Sequence, residues 1–253
     1  MKTGAERYSN KTEDYARYRP DFPPKIIRFL SDSCMIDNHS IIADIGSGTG
    51  RFTRLLLKKC NTVFGVEQNE AMRKKAEILL TNFSNFISVA GSAENTGLED
   101  RSVDLITVAQ AFHWFDKGKS LLEFKRIIRE KGKVFIVWDD FVGSYNDFSV
   151  AYSQLLSTYS IVKPENAVKE PSRSEMISEF FKDNQYEEKS FTHVLYQNFE
   201  GIRGGALSAS FTPNPDEDQY EPFIYDLKKV FDQYQIDGEV CTAFCSNCYL
   251  GDI

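Results

Sequence analysis

The sequence predicts an α/β fold built on a doubly wound, mostly parallel β-sheet. Short apolar runs rich in β-branched residues alternate with helical segments through the first half of the chain. One such run, Ser40 to Ile45, leads into a turn with glycine at every second position, and the alternation stops after Trp138. The chain has 253 residues, which suits one such domain or one domain with a modest cap.

The first half predicts five strands separated by helices. The strands are expected at Ser40–Ile45, Thr62–Glu67, Asn85–Gly91, Val103–Phe112 and Lys133–Trp138. The helices are expected at Pro23–Ser33, Gly50–Cys60, Asn69–Phe83 and Lys119–Gly132. Asn69 suits the N-cap of the third helix, and Asp116 suits a helix N-cap further along the chain. Ligands of such sheets bind at the carboxyl ends of the strands, so the loops that follow the strands form the candidate site.

The second half predicts a different arrangement, with longer helices and two further strands. Aromatic and aliphatic residues recur at helical spacing within 139–160 and 216–235, and a shorter helix is expected within 171–181. Strands are expected at 189–199 and 238–251. These two strands are expected to form an antiparallel hairpin at the sheet edge beside Lys133–Trp138, which makes about seven strands in all.

Composition narrows the class of protein. Hydrophobic residues make up 42% and charged residues 26%, as in ordinary soluble proteins, and the net charge is −7. An acidic chain without a basic block is a poor partner for nucleic acid. The polar first 20 residues lack the apolar core of a signal peptide, and no run reaches the roughly 18 apolar residues of a membrane helix. Five scattered cysteines favour reduced thiols in a cytoplasmic protein. A monomer or weak homodimer is expected.

The glycine turn, Gly46 to Gly50, indicates a nucleotide site but departs from the dinucleotide fingerprint. A G-x-G-x-x-G loop would place its third glycine at position 51, which is Arg51. That glycine allows helix and strand to pack closely, so arginine there weakens an NAD interpretation. Asp44 precedes the turn and would repel a diphosphate, whereas it would suit a ligand with a cationic end. Glycines at this turn let a ligand approach the backbone closely.

Glu67, at the end of the second strand, is a second residue that indicates a nucleoside ligand. An acid at that place accepts both hydroxyls of a ribose, through charge-assisted hydrogen bonds. The ligand is therefore expected to carry a ribose with free 2′ and 3′ hydroxyls. After the third strand, Ser92, Ala93 and Glu94 would border an adenine ring, whose edge needs one donor and one acceptor.

Five segments in order resemble the class I S-adenosylmethionine-dependent methyltransferases, in particular the small-molecule, type 11-like subgroup. They read "YARYRPDFP", "ADIGSGTGRFT", "VFGVEQNEAM", "AGSAENTGLEDRSVDLIT" and "AQAFHWFD", and the late "GEVCTAFCSNCYLG" is similar to the final strand of that subgroup. The resemblance covers nearly the whole chain. It implies a Rossmann-like sheet over 1–253, an N-terminal arm and first helix in 1–40 over the cofactor site, and a helical cap in 139–184 over the acceptor pocket.

The resemblance also implies the cofactor, S-adenosyl-L-methionine, and the residues that bind it. The expected donor-binding residues are Asp44, Gly46, Ser47, Gly48, Gly50, Glu67, Gln68, Met72, Ser92, Ala93, Glu94, Gln110, Tyr15 and Arg19. Many relatives have aspartate where this chain has Ser92, so the adenine contacts depart from the family pattern. Tyr8, Tyr15 and Arg19 would close over the donor, with Arg19 on the methionine carboxylate, although an N-terminal helix packed by its tyrosines is an equal alternative.

His113 is the candidate catalytic residue, either as a general base or as a residue that lines the pocket. A structural hydrogen-bonding role for it is a further alternative, since many methyl transfers need no base. The C-x3-C-x2-C spacing of Cys241, Cys245 and Cys248 is not a standard zinc pattern, and a strand would place Cys248 on the opposite face. No metal is therefore expected.

The expected activity is methyl transfer to an O, N, C or S nucleophile of a small organic acceptor, without nucleic acid or membrane partners. The segment after the fourth strand lacks the [D/N]-P-P-[Y/F] motif of DNA amino-methyltransferases. Two alternatives remain open at this point. An NAD-dependent oxidoreductase shares the sheet and the ribose acid, and a non-catalytic module could bind S-adenosylmethionine as a sensor.

Overall fold

The computed structural model describes residues 11–34, 36–60, 62–160 and 172–253. They form two compact units. The sheet unit comprises, of the described residues, 21–34, 36–60, 62–139, 172–191 and 246–253. The helical unit comprises 11–20, 140–160 and 192–245. Tyr8 lies outside the described residues.

The described secondary structure alternates strands and helices as far as the fifth strand. The strands are β1 Ile41–Ile45, β2 Thr62–Val66, β3 Phe86–Val89, β4 Val103–Ala109, β5 Ile128–Phe141, β6 Tyr186–Gln197 and β7 Val240–Gly251. The α-helices are α1 Thr12–Tyr18, α2 Lys25–Cys34, α3 Arg51–Leu56, α4 Glu70–Leu79, α5 Lys117–Ile127, α6 Asp147–Thr158, α7 Arg173–Phe180, α8 Phe199–Leu207 and α9 Tyr220–Tyr234. Two 3₁₀ turns cover Phe112–Trp114 and Lys182–Asn184.

The seven strands form one sheet in the order β3-β2-β1-β4-β5-β7-β6. Strands β1 to β5 pair in parallel, with β1 central between β2 and β4. The last hairpin is antiparallel, and β7 lies next to β5. The predicted fold class is therefore confirmed, including the hairpin at the edge.

Two apolar cores cover opposite faces of the sheet unit, because successive strand residues point to opposite sides. Ile42 belongs to a core with residues of α2, α3 and α4, whereas Ala43 belongs to a core with residues of α5 and α7. In β4, Leu105 belongs to the same core as Ile42, and Ile106 belongs to the same core as Ala43. Helices on both faces leave the carboxyl ends of the strands as the edge where loops can gather.

The predicted helix Lys119–Gly132 is wrong at its carboxyl end, because α5 stops at Ile127 and β5 begins at Ile128. Gly132 explains why the strand can form here. A Cβ at this position would collide with Cγ1 of Ile128 and would lie 2.8 Å from the carbonyl oxygen of Asp104. Gly132 therefore lets β5 approach β4 closely. The register of β4 with β5 shifts nearby, between Val103 and Leu105.

Helix α8 is an element that the sequence did not predict, because three glycines within it argue against a helix. Asn198 caps its first turn by accepting a hydrogen bond from the N–H of Gly201. Gly204 is required by packing, since a Cβ there would overlap the ring of Tyr18 from α1. The N-terminal segment is thus a helix with a tyrosine packed on the helical unit, one of the two alternatives for that segment.

Within the described ranges, no helix is long and apolar enough to cross a membrane. The same ranges hold no group of three or more His, Cys, Asp or Glu side chains placed to bind a metal ion.

Candidate functional site

The glycine turn joins β1 to α3 in the sheet unit and requires a left-handed backbone at three points. Gly46, Gly48 and Gly50 have φ angles of 69°, 57° and 79°. Such angles cost L-residues with a side chain roughly 1–2 kcal/mol each, which explains the alternating glycines. The N–H groups of Gly46 and Ser47 donate to the carbonyl of Val66 at 2.9 and 3.1 Å, which ties the turn to β2.

The three glycines differ in what surrounds them. A Cβ at Gly46 would lie 2.6 Å from Cβ of Ala111, and one at Gly50 would lie 2.6 Å from Cδ1 of Leu80. A Cβ at Gly48 would meet nothing within 4 Å. Protein packing therefore accounts for Gly46 and Gly50, whereas Gly48 presents bare backbone to open space.

Asp44 lies in β1, two residues before the turn, and stabilises the start of the turn. Its side chain is fully buried, and its two oxygens accept hydrogen bonds from Thr53 Oγ1 at 2.6 Å and Thr107 Oγ1 at 2.8 Å. Burial raises the pKa of Asp44 to about 6, although the two hydroxyls act in the opposite direction. Asp44 was expected to face a ligand. In the structure its carboxylate joins β1 to α3 and β4.

Glu67 is brought directly to the open glycine. Its Oε2 accepts a hydrogen bond from the N–H of Gly48 at 2.9 Å, and its Oε1 accepts one from the N–H of Asn69 at 2.7 Å. The side chain is 9% exposed, and desolvation raises its pKa. Each carboxylate oxygen can accept a second hydrogen bond, so the acid can still receive two hydroxyl donors. Gln68, beside it, is exposed, while Met72 is buried in α4.

The segment after β3 forms a tight turn rather than an open loop. Ser92 Oγ accepts hydrogen bonds from the N–H groups of Glu94 and Asn95, both at 3.2 Å. Glu94 Oε1 accepts from the N–H of Asp116 at 2.9 Å, and Ala93 is buried. The side chains expected to recognise adenine are therefore already used to shape the turn, and their further role stays a prediction.

Gln110 ends β4 with an unusual backbone. Its φ is 58°, a value that costs a non-glycine residue about 1–3 kcal/mol and that is typical of functional sites. Two hydrogen bonds hold it, from its N–H to the carbonyl of Val137 at 2.9 Å and from Nε2 to the carbonyl of Asp139 at 2.7 Å. This residue is the reason that the strand predicted to reach Phe112 ends at Ala109.

His113 is held as a neutral ring. Its Nδ1 accepts a long hydrogen bond from Trp138 Nε1 at 3.4 Å, which leaves the ring proton on Nε2. Partial desolvation, followed by the charges of Lys117 and Arg173, lowers the pKa of His113 to about 4. Such a ring is a weak base at neutral pH. The arrangement favours the structural or pocket-lining alternatives for His113 over a general base.

Tyr15 and Arg19 belong to the helical unit, where the Arg19 guanidinium lies 5.5 Å from the centre of the Tyr15 ring. Sequence reasoning missed Thr53 and Thr107, which orient Asp44. A signal for Thr107 was present, since a hydroxyl inside the apolar run of β4 must find a buried partner. Asn69 and Asp116 cap α4 and α5 as predicted.

Residues 43–136 match the family model of a methyltransferase domain. Residues 43–136 are therefore a methyltransferase domain. This domain holds the glycine turn, Glu67 and Gln110, so the resemblance found in the sequence is confirmed.

Related proteins agree with this assignment. The chain is 35% identical over 133 residues to a methyltransferase-like protein of Schizosaccharomyces pombe, covering 52% of this chain and 51% of the relative. It is 32% identical over 125 residues to a methyltransferase of Mycobacterium tuberculosis, covering 49% of each. The chain thus spans about half the length of these curated relatives. A solved type II methyltransferase from Anaeromyxobacter dehalogenans shares the fold, with a TM-score of 0.63, 19% identity and coverage of 93% of this chain and 98% of that one.

Proposed function

We propose that the protein is an S-adenosylmethionine-dependent methyltransferase that acts on a small organic acceptor. One observation carries the proposal: inside a methyltransferase domain, the open backbone of Gly48 donates a hydrogen bond to the carboxylate of Glu67. A ligand with a ribose diol and no diphosphate suits this pair, since the acid keeps two acceptor sites and the glycine leaves room.

The residues present fit the donor in a second respect. Thr49, in the same turn, has a buried hydroxyl with no hydrogen-bond partner among the described residues. Buried polar groups without a partner are uncommon in folded proteins, so this hydroxyl is available to a bound ligand. In this proposal Gly48 and Thr49 contact the donor, Glu67 binds the ribose hydroxyls and the Gln110 backbone borders the methionine end.

The bound donor would supply an electrophilic methyl group on a sulfonium. The chain's own contribution is alignment, and correct alignment of two reactants can account for roughly 7–11 kcal/mol of a barrier. The turn would hold the donor in place because its own backbone is hydrogen-bonded to β2, while Asp44 joins the flanking β1 to α3 and β4. None of the described side chains is required to form a covalent bond. His113, with its lowered pKa, would shape the pocket rather than remove a proton.

Calorimetric titration and thermal shift with S-adenosylmethionine, its demethylated product and NAD test the proposal. We expect binding of the first two and none of NAD, because Arg51 occupies the place of the third dinucleotide glycine. Saturation at 100 times the dissociation constant should stabilise the protein by about 2.7 kcal/mol. A response to NAD alone would sink the proposal.

Gly48→Asp and Gly238→Asp form a matched pair for the site itself. Both glycines have a positive φ, 57° and 83°, and a Cβ at either would meet nothing within 4 Å. The backbone strain of the two variants should therefore be similar. Only Gly48→Asp should abolish the response to S-adenosylmethionine, because its carboxylate would enter the donor site beside Glu67. Equal loss in both variants would show that the turn acts through stability alone.

A further inference from the structure

The indole of Trp138, in the carboxyl-terminal half of β5, is contacted by two side chains that can bind an anion. Its Nε1–H donates a hydrogen bond of 3.4 Å to Nδ1 of His113, so the proton of that ring lies on Nε2. The guanidinium of Arg173, the first residue of α7, lies over the face of the same indole, 4.6 Å from the ring centre. Because Trp138 is only 3% exposed, the core fixes the indole in place. One rigid ring therefore positions both an imidazole and a guanidinium.

Lys117, at the start of α5, adds a second cation beside this ring. Its Nζ lies 5.1 Å from the centre of the Phe112 ring and donates a hydrogen bond to the carbonyl of Phe115 at 2.7 Å. The Phe112 ring packs edge-on against Trp138, with ring centres 6.0 Å apart. The two cations thus lie on neighbouring aromatic rings. His113, Lys117, Trp138 and Arg173 are called the Trp138 cluster below.

The charge around His113 is positive. His113 reaches the surface, while Lys117 and Arg173 are half-buried. Desolvation, followed by the charges of Lys117 and Arg173, lowers the pKa of His113, in agreement with their placement beside the ring. The neighbouring acid Asp116 pairs instead with Lys119, whose Nζ lies at 3.3 Å. At neutral pH the Trp138 cluster therefore combines one imidazole N–H donor with two positive charges.

The turn that carries His113 lies against the glycine turn of the candidate donor site. A Cβ at Gly46 would lie 2.6 Å from Cβ of Ala111 and 3.4 Å from the ring of Phe115. Ala111 and Phe115 flank the 3₁₀ turn that contains His113. The Trp138 cluster therefore adjoins the glycine turn at the carboxyl ends of β4 and β5, where an acceptor must lie to meet the methyl group.

We infer that the Trp138 cluster binds a carboxylate carried by the methyl acceptor, so that the acceptor is an organic acid. A carboxylate suits these groups because a guanidinium edge, an ammonium and an imidazole N–H can all donate to its two oxygens. Trp114, which is 52% exposed and has its ring centre 4.8 Å from that of His113, offers an apolar surface for the body of the acid. This inference rests on the proposed function.

NMR titration with small anions at pH 7 and constant ionic strength gives the first test. The chain has two tryptophans, so Trp114→Phe assigns the indole resonance of Trp138. We expect benzoate to shift this resonance in a saturable way, because the indole N–H donates to the imidazole that contacts the anion. Benzamide, which has no charge, should have no effect. An absent benzoate response would overturn the inference, and tighter binding of phenyl phosphate than of benzoate would overturn the assignment to a carboxylate.

Charge-removing variants of the cluster give the second test. Arg173→Met should weaken benzoate binding at least about tenfold, and Lys117→Met should weaken it severalfold. Arg28→Met and Lys119→Met are the matched controls, since both cations are exposed and Arg28 lies 3.8 Å from Asp32 on α2. Equal dissociation constants in the cluster variants and the controls would overturn the inference.

Arg173→Lys guards against a loss of binding caused by misfolding. Lysine keeps the positive charge and loses the planar fork, so benzoate binding should fall between that of the unmodified chain and that of Arg173→Met. Retention of full benzoate affinity by Arg173→Met, with a dispersed spectrum showing that it is folded, would remove Arg173 from the site and overturn the inference.

A repeat of the benzoate titration with the demethylated donor at saturation identifies the source of the carboxylate. We expect the benzoate dissociation constant to stay within about twofold, because donor and acceptor must be bound together. Loss of benzoate binding would assign the cluster to the methionine carboxylate of the donor and would overturn the assignment to the acceptor. A chain that binds benzoate but not the donor would refute the proposed function, and with it the acceptor role, although the carboxylate site would stand.

Discussion

The glycine turn of the sheet unit and the helical unit differ in whether their buried polar side chains have hydrogen-bond partners. Around the turn, Asp44 and Glu67 both have their oxygens engaged by hydroxyl or backbone donors. In the helical unit, Arg19 Nε and the Ser149 hydroxyl are buried and have no hydrogen-bond partner among the described residues. A donor-binding turn must keep its shape before the ligand arrives, which requires internal hydrogen bonds. A buried donor without an acceptor costs stability, because its hydrogen bond to water is lost and not replaced.

The largest expected effect concerns Asp44, a carboxylate beside the glycine turn whose oxygens are both hydrogen-bonded. The pKa of Asp44 is about 6 in the folded chain, above the ordinary value of 3.8, so the folded state holds an extra proton between these values. Its contribution to the free energy of unfolding is present below about pH 4 and is lost as pH rises through 6. The loss is about 3 kcal/mol, because each unit of difference between the two pKa values is worth about 1.36 kcal/mol.

Urea denaturation of the unmodified chain and of Asp44→Asn between pH 4 and pH 7 measures this contribution. The difference in unfolding free energy between the two proteins should change by about 3 kcal/mol across that range, in the direction that favours the unmodified chain at low pH. The comparison with Asp44→Asn is needed because carboxylates with lowered pKa values, such as Glu123, have the opposite pH dependence. A constant difference would show that Asp44 titrates normally.

A smaller effect is expected for Glu67→Gln, which tests whether the turn's acid also binds the ligand. The amide keeps one acceptor oxygen and places an NH₂ group against the N–H of Gly48 or Asn69. Loss of a hydrogen bond to a charged group costs about 1.5–3 kcal/mol, which corresponds to roughly 10- to 150-fold weaker binding of S-adenosylmethionine by calorimetry.

Glu77→Gln is the control for that substitution. Glu77 also accepts a short hydrogen bond, from Ser88 Oγ at 2.6 Å, but it lies on an exposed part of α4. Its replacement should leave the dissociation constant unchanged. If both variants weaken binding alike, the role of Glu67 is limited to supporting the structure.

The smallest expected effect concerns His113, whose Nδ1 already accepts a hydrogen bond. The ring should remain neutral down to about pH 5 and titrate near pH 4, against about 6.5 for an unperturbed histidine. Long-range nitrogen–proton NMR of the imidazole gives this midpoint and identifies the protonated nitrogen. A midpoint between 6 and 7 would restore His113 as a candidate base.

Local patterns were sufficient for much of the sheet unit. Alternating apolar runs and caps such as Asn69 located β1 to β4 and the helices between them, because each element buries a face that its own periodicity reveals. The end of α5 was misjudged because Gly132, read as a helix stop, is needed for backbone approach within β5. Helix α8 was missed because its glycines serve packing against Tyr18, a residue far away in the chain.

The sequence by itself determined the fold class, the resemblance to a methyltransferase domain and the position of the turn, since these depend on short-range patterns and spacing. Tertiary structure alone decided which glycine is open and that Glu67 accepts a hydrogen bond from the backbone of Gly48. These features depend on atoms brought together from distant parts of the chain. Hydrogen bonding and desolvation act over a few ångströms in space, whatever the separation along the sequence.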